Sequence, residues 1–184
     1  NGEEKTGVTI FELNEKMDEG DILASVEVEI FPQETASELE ARLARLGADL
    51  LVRTLAELDR LPRLPQDHSR ASYAPRLKKE DGKIDWAADA LVIERKVRAL
   101  GSWPGAYTFF RGQRILIRKG KRIPETAAGQ TPGRVVAIKR DGLVVGCGQG
   151  TLFLVERLQR ENRKEMEAHA FLQGARVKPG DSFE

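Results

Sequence analysis

Two strand-like segments, Thr6-Gly7-Val8-Thr9-Ile10 and a run beginning at Ile22, flank a polar loop that carries Met17-Asp18-Glu19-Gly20-Asp21. Asp18 sits at the tight end of that loop. Strand ends and the loops beyond them are where α/β folds carry reacting groups. A carboxylate there can move a proton, or orient and charge a neighbouring base. Taken alone, Asp18 equally suits a turn or cap, because short acidic side chains bond their own backbone, and Asp21 reads as a local turn residue. The usual catalytic companions are not nearby. His68 lies in a proline-punctuated stretch and His169 in a C-terminal helical stretch, with no metal-ligand spacing between them, so no metal is assigned. Cys147, the single cysteine, stands between two glycines in an apolar setting. It reads as a small buried side chain rather than a nucleophile, and it excludes an internal disulfide framework.

The second chemical set is cationic. Arg76, Lys78, Lys79 and Lys83 lie on an extended stretch, Arg111 and Arg114 on a turn, and Arg118, Lys119, Lys121 and Arg122 in a dense run beyond a strand. Residues 1–59 carry a net charge of −10, residues 60–122 of +10 and residues 123–184 of +1. A swing of that size points to two modules, the second facing a polyanion whose phosphates need flexible cations. The competing reading is a solvated surface of solubilising charges. Trp103 and Tyr107 offer stacking surfaces for bases, but their neighbouring proline and glycine favour turn packing.

Elements must hold these groups in place. Ile22, Ala24, Val26, Val28 and Ile30 alternate with Glu27 and Glu29, the period of a half-exposed strand that Pro32 closes. Thr35 and Glu38 have capping-box spacing, and the helix they open runs with a leucine stripe to the neighbourhood of Arg60. From Leu61 to about Trp86 periodicity vanishes among Pro62, Pro65 and Pro75, as in an extended linker. Helical spacing returns over 87–100. Short strands then follow at 107–110, 115–117, 135–139, 143–145 and 152–158 with glycine-rich corners, and a short helix at 166–172. That pattern predicts a small barrel of the oligonucleotide-binding (OB) kind. Strand, loop, strand and long helix suit the tail of an α/β domain but are too little sheet for a whole one.

The bulk properties agree. With 184 residues, 40% hydrophobic and 32% charged, the chain has room for one large domain or two small ones. Its apolar runs fall short of the roughly 18 residues that span a bilayer, and Asn1 opens the chain with no signal-like segment. A soluble, cytoplasmic protein without a membrane partner is expected.

Six pieces in register then resemble the methionyl-tRNA formyltransferase family, in its C-terminal part. They are Thr6–Ile10, Asp18-Glu19-Gly20-Asp21, the block from Tyr73-Ala74-Pro75-Arg76-Leu77-Lys78-Lys79 to Ile84-Asp85-Trp86, Trp103-Pro104-Gly105-Ala106, Gly146-Cys147-Gly148-Gln149-Gly150 and Phe171-Leu172-Gln173-Gly174. Together they cover nearly the whole chain.

That resemblance implies formyl transfer from 10-formyltetrahydrofolate to the amino group of methionyl initiator tRNA. It maps the family's catalytic aspartate onto Asp18 and places the partnering Asn and His upstream of Asn1, so this chain alone would be inactive. The implied fold is a remnant of a Rossmann-like formyltransferase domain (1–61), an extended basic linker (62–86) and a mainly β, OB-like tRNA-binding domain with flanking helices (87–184). The tRNA contacts implied are Arg76, Lys78, Lys79, Lys83, Arg111, Arg114, Arg118 and Lys119. A sheet edge left open by truncation would permit a dimer. Asn14, Lys16 and Glu19 depart from the family pattern, and Lys16 replaces a glycine able to adopt positive φ. Sibling enzymes acting on a nucleotide sugar or on formyltetrahydrofolate itself, and a non-catalytic RNA-binding module, are the competing functions.

Overall fold

The structure, a computed structural model, describes residues 1–184. It forms two compact units, one of residues 3–76 and one of residues 77–184 with the first two residues.

In the first unit, β1 (Lys5–Phe11) pairs antiparallel with β2 (Ile22–Glu29), with Val8 opposite Val26. Helix α1 (Ala36–Ala56) packs on both strands. The capping box is present: Thr35 Oγ1 accepts from the Glu38 N–H at 3.4 Å, and the Glu38 carboxylate accepts from the Thr35 N–H at 2.8 Å. The helix ends at Ala56, one turn short of Arg60, and a turn carries the chain onward. The backbone leaves helical geometry at Glu57 (φ −115°, ψ 11°), whose N–H is shared between the Arg53 and Thr54 carbonyls. Leu23 and Thr54 are buried, whereas Phe31, Leu51, Val52 and Leu55 are exposed.

The second unit is built on one antiparallel sheet of six strands. These are β3 (Tyr107–Phe110), β4 (Gln113–Thr126), β5 (Val135–Lys139), β6 (Gly142–Gly146), β7 (Thr151–Arg160) and β8 (Glu165–Glu167). The order is β3-β4-β7-β6-β5, with β8 paired to β7. No ladder joins β3 directly to β5. Instead the last residues reach both: Val135 N–H donates to Asp181 at 2.8 Å, Phe183 N–H to Gly133 at 2.8 Å, and Glu184 N–H to Phe109 at 2.9 Å. Helices α2 (Ala90–Ala99) and α3 (Ala168–Ala175) flank the sheet. Met166 falls in β8 rather than at the start of the last helix, since residues 165–167 have a free β7 edge to pair with.

Strand β4 is far longer than the expected 115–117. Arg118, Lys119, Lys121 and Arg122 lie within it, paired to β7 through bulges at 117–120, and not in a run beyond a strand. Arg114, too, lies in the strand rather than on the turn. Gly120 allows the approach, because a Cβ there would stand 2.5 Å from the Phe153 ring.

The core gathers Ile93, Ile115, Ile117, Leu143, Val145, Phe153, Leu158 and Phe171. Ile84 and Trp86, from the stretch without periodicity, are buried in it. Trp86 Nε1 donates to Thr108 Oγ1 at 2.9 Å, and that hydroxyl donates to the Glu184 carbonyl at 2.7 Å. The indole also packs against Phe153 and Phe183 at 6.2 and 5.9 Å. One hydroxyl thus ties the indole, β3 and the tail together. The 146–150 motif is structural as well. Gly148 donates to the Trp86 and Ala88 carbonyls at 3.0 and 2.9 Å, and a Cβ on it would collide with Ala87 O at 1.8 Å.

Thr108→Val is expected to lower stability by about 1–3 kcal/mol in denaturant unfolding, because it strands the indole N–H without an acceptor. Thr108→Ser should lose less, and equal losses would contradict the hydroxyl's role. Asp181 gives a pH signature. The backbone N–H of Lys178 and then the Arg111 guanidinium hold its carboxyl below the ordinary value. Its contribution is therefore full above about pH 4, the unfolded aspartate value, and is lost as pH falls through the lower folded value. Thermal melts should show the gap between the native chain and Asp181→Asn closing as the solution is acidified; a constant gap would contradict it.

Candidate functional site

The β1–β2 loop is shaped by its backbone. The Lys16 N–H donates to Asn14 Oδ1 at 2.9 Å, forming an Asx turn, and Glu12 N–H donates to the Asp21 carbonyl at 3.0 Å. Gly20 passes so close to Glu12 that an added Cβ would lie 1.6 Å from its carbonyl oxygen. Asp18 itself adopts φ of 55°, the left-handed region. That conformation costs about 1 kcal/mol or more for a residue with a Cβ, and Asp tolerates it better than most. Lys16 is not a left-handed residue. Its departure from glycine therefore leaves the loop backbone unstrained at that position, and the positive φ falls two residues later, at Asp18.

Asp18 is exposed, and its carboxylate takes part in no hydrogen bond or ion pair. It lines a cleft of about 850 Å³ whose other wall is the segment 65–74. Met17, Ile22 and Pro65 give that cleft apolar surface, and His68, Arg70 and Tyr73 give it polar and aromatic surface. His68 thus stands in the same cleft as Asp18, with its Nδ1 4.0 Å from the Glu19 carboxylate, although nothing in the sequence joins them. Gln66 reaches across: its Nε2 donates to the Asp18 carbonyl at 2.9 Å and to the Gly20 carbonyl at 2.7 Å. Gln66 carries no local pattern that marks it, because its partners lie more than forty residues away.

In the second unit the cations fall into two groups. Alternation in β3 and β4 turns Thr108, Phe110, Ile115 and Ile117 inward, which leaves Tyr107, Phe109, Arg114, Leu116 and Arg118 on the opposite face. There the Arg114 guanidinium lies 4.1 Å from the centre of the Tyr107 ring and Lys83 Nζ 5.9 Å from that of Phe109. The two rings meet edge to face at 5.8 Å. Arg118 is fixed by Gln159 at 2.6 Å and the Gly101 carbonyl at 2.7 Å. Arg114 also reaches Glu161 at 3.7 Å, and Lys119 and Lys121 share Glu156 at 3.3 and 3.2 Å.

Arg111 is held differently. It pairs with Asp181 at 3.1 Å, donates to the Ala175 carbonyl at 2.9 Å and covers the Phe110 ring. Lys78, Lys79 and Lys83 are exposed and have no carboxylate partner, and Arg76, in the first unit, is likewise exposed and unpaired. Trp103 is half exposed. Burial pushes the Cys147 thiol up to about 12, which keeps it protonated and unreactive in the fold.

Comparison with known proteins gives these features a context. Residues 1–55 match the family model described as formyl transferase, and residues 76–176 match that described as formyl transferase, C-terminal domain. A methionyl-tRNA formyltransferase from Solibacter usitatus (strain Ellin6076) is 49% identical over 180 residues, covering 96% of this chain and 56% of that protein. One from Moorella thermoacetica (strain ATCC 39073 / JCM 9320) is 44% identical over 183 residues, covering 98% of this chain and 58% of that protein. The chain spans a little over half the length of these curated relatives. Among solved structures, HypX from Aquifex aeolicus in complex with tetrahydrofolic acid superposes with a TM-score of 0.68 at 22% identity, covering 93% of this chain and 30% of that one. Methionyl-tRNA formyltransferase from Clostridium thermocellum gives 0.56 at 21%, covering 70% and 54%. Those two likenesses speak for the fold alone. On the match over 76–176, with that over 1–55 beside it, this chain belongs to the formyl transferase family.

Proposed function

We propose that these 184 residues serve formyl transfer from 10-formyltetrahydrofolate to the amino group of methionyl initiator tRNA. Asp18 is the carboxylate of the reaction centre, and the second unit is the RNA-holding part. The observation that carries this reading is the Asp18 carboxylate itself: unpaired, at the edge of a cleft, on a backbone turn held from both sides. The names of the relatives at 49% and 44% identity support the acceptor. In such a transfer the amine attacks the formyl carbon, an oxyanion forms, and protons leave the amine for the departing nitrogen. Asp18 contributes a fixed negative charge that orients and charges a neighbouring imidazole, with the Asn and His of the reaction supplied from outside residues 1–184. The apolar walls given by Met17, Ile22 and Pro65 beside a carboxylate suit the ring of a folate donor.

The division into a catalytic remnant (1–61), a basic linker (62–86) and a tRNA-binding domain (87–184) belongs to the same proposal, as does a cytoplasmic setting. The second unit reads as an OB-like barrel in which residues 181–184 fill the interval between β3 and β5. The tRNA contacts are Arg76, from the first unit, and Lys78, Lys79, Lys83, Arg111, Arg114, Arg118 and Lys119. The unpaired lysines are free to meet phosphate, and the Tyr107–Phe109 face with Arg114 and Lys83 above it suits stacked bases. Arg111 contributes chiefly by fixing the tail to which it is bonded.

In a full-length formyltransferase containing these residues, Asp18→Asn should lower kcat for formylation by about 10²-fold or more while leaving tRNA affinity within about twofold. A fall of less than about threefold would exclude Asp18 from the reaction centre. Binding of the 184-residue chain to initiator tRNA, followed by fluorescence anisotropy, should weaken with salt on a log–log slope corresponding to about 3–5 phosphates. Replacing Lys78, Lys79 and Lys83 by Ala should lower that slope by about one unit per lysine. Salt-independent binding, or a slope unchanged by the triple replacement, would contradict the RNA interface.

A further inference from the structure

The Asp18 loop depends on a side chain that nothing in its own sequence supplies. Gln66 stands 48 residues beyond Asp18 and 46 beyond Gly20, yet its single amide nitrogen bonds both carbonyls. No other hydrogen bond reaches either oxygen. The two N–H groups of one amide are therefore divided between the Asp18–Glu19 and Gly20–Asp21 peptide planes, the first of which directly follows the left-handed residue. Gln66 is itself anchored. Leu64 and Ile22 exchange backbone hydrogen bonds of 2.8 and 3.0 Å, and Arg63 pairs with Glu12 at 2.9 Å. The tether thus runs from the first residue of β2 to the loop that precedes it.

The side-chain chemistry is selective. Two carbonyl acceptors require two neutral donors on one nitrogen at this length, which Gln provides. Glu would set a carboxylate against two carbonyl oxygens, Met keeps the length but donates nothing, and Asn is one methylene short.

We propose that Gln66 is a positioning residue for the reaction, acting by locking the Asp18–Gly20 backbone so that the Asp18 carboxylate keeps one direction. This rests on the reading of Asp18 as a reaction-centre group. Misplacing a reacting group by about 1 Å can cost about 10²-fold in rate.

The test is a double-mutant cycle in a full-length formyltransferase containing these residues, with Gln66→Met, Asp18→Asn and the pair, read as kcat and KM for methionyl initiator tRNA. Gln66→Met should lower kcat by about tenfold with KM within about twofold, and Gln66→Glu should lower it further. In the Asp18→Asn background Gln66→Met should have no further effect, because the direction of an absent carboxylate cannot matter. Amide hydrogen exchange should quicken at residues 17–20 in Gln66→Met and stay unchanged across β1 and β2. Equal losses in both backgrounds, a change in KM alone, or loss of protection throughout both strands would overturn the positioning role. If Asp18→Asn is impaired and Gln66→Met is not, Gln66 fails and the Asp18 reading stands. If Asp18→Asn is fully active, both fall.

Discussion

The Asp18 carboxylate makes no hydrogen bond or ion pair of its own, so its direction comes from the backbone beneath it. That constraint organises the first unit. Asp18 is held at φ of 55° by an Asx turn on one side, by the close pass of Gly20 under Glu12 on the other, and by the Gln66 amide spanning both. Each of these contacts is made by a backbone group or ends on one. The carboxylate is left open to the cleft, and the cost of a left-handed residue is met by the surrounding turn.

In the second unit some cations are paired to acids and others stand free. On the β3–β4 face the Tyr107 ring lies against Arg114, which also reaches Glu161, and the Phe109 ring against Lys83. Elsewhere a single glutamate, Glu156, serves both Lys119 and Lys121. Within 60–122, Arg76, Lys78, Lys79 and Lys83 remain exposed without a carboxylate partner. Arg111 shows the alternative fate, since its guanidinium is consumed in binding Asp181 and the Ala175 carbonyl.

What could be read from the residues was whatever depends on near neighbours. The Thr35–Glu38 box, the alternation in β2, the Asp18 loop and the buried Cys147 all rest on patterns a few residues long, and the structure reproduces them. What could not be read depends on distant partners. Strand β4 runs to Thr126 because β7 offers a ladder along its length, whereas Arg118–Arg122 hide the period of two behind consecutive charges. Ile84 and Trp86 look like members of a charged linker until Thr108 and Phe183 are brought to them. The tail is too short to announce a strand and takes its conformation from both β3 and the start of β5. Gln66 and the cleft it helps form have no local signature at all.

The most direct measurement is a structure of a full-length formyltransferase carrying these residues with a formyl donor and an acceptor analogue bound. The expected result is the Asp18 carboxylate within hydrogen-bond distance of an imidazole that itself borders the formyl carbon, with Gln66 still bonded to the two loop carbonyls. A donor bound away from the β1–β2 loop, or Asp18 turned to solvent with no group of the reaction in reach, would contradict it.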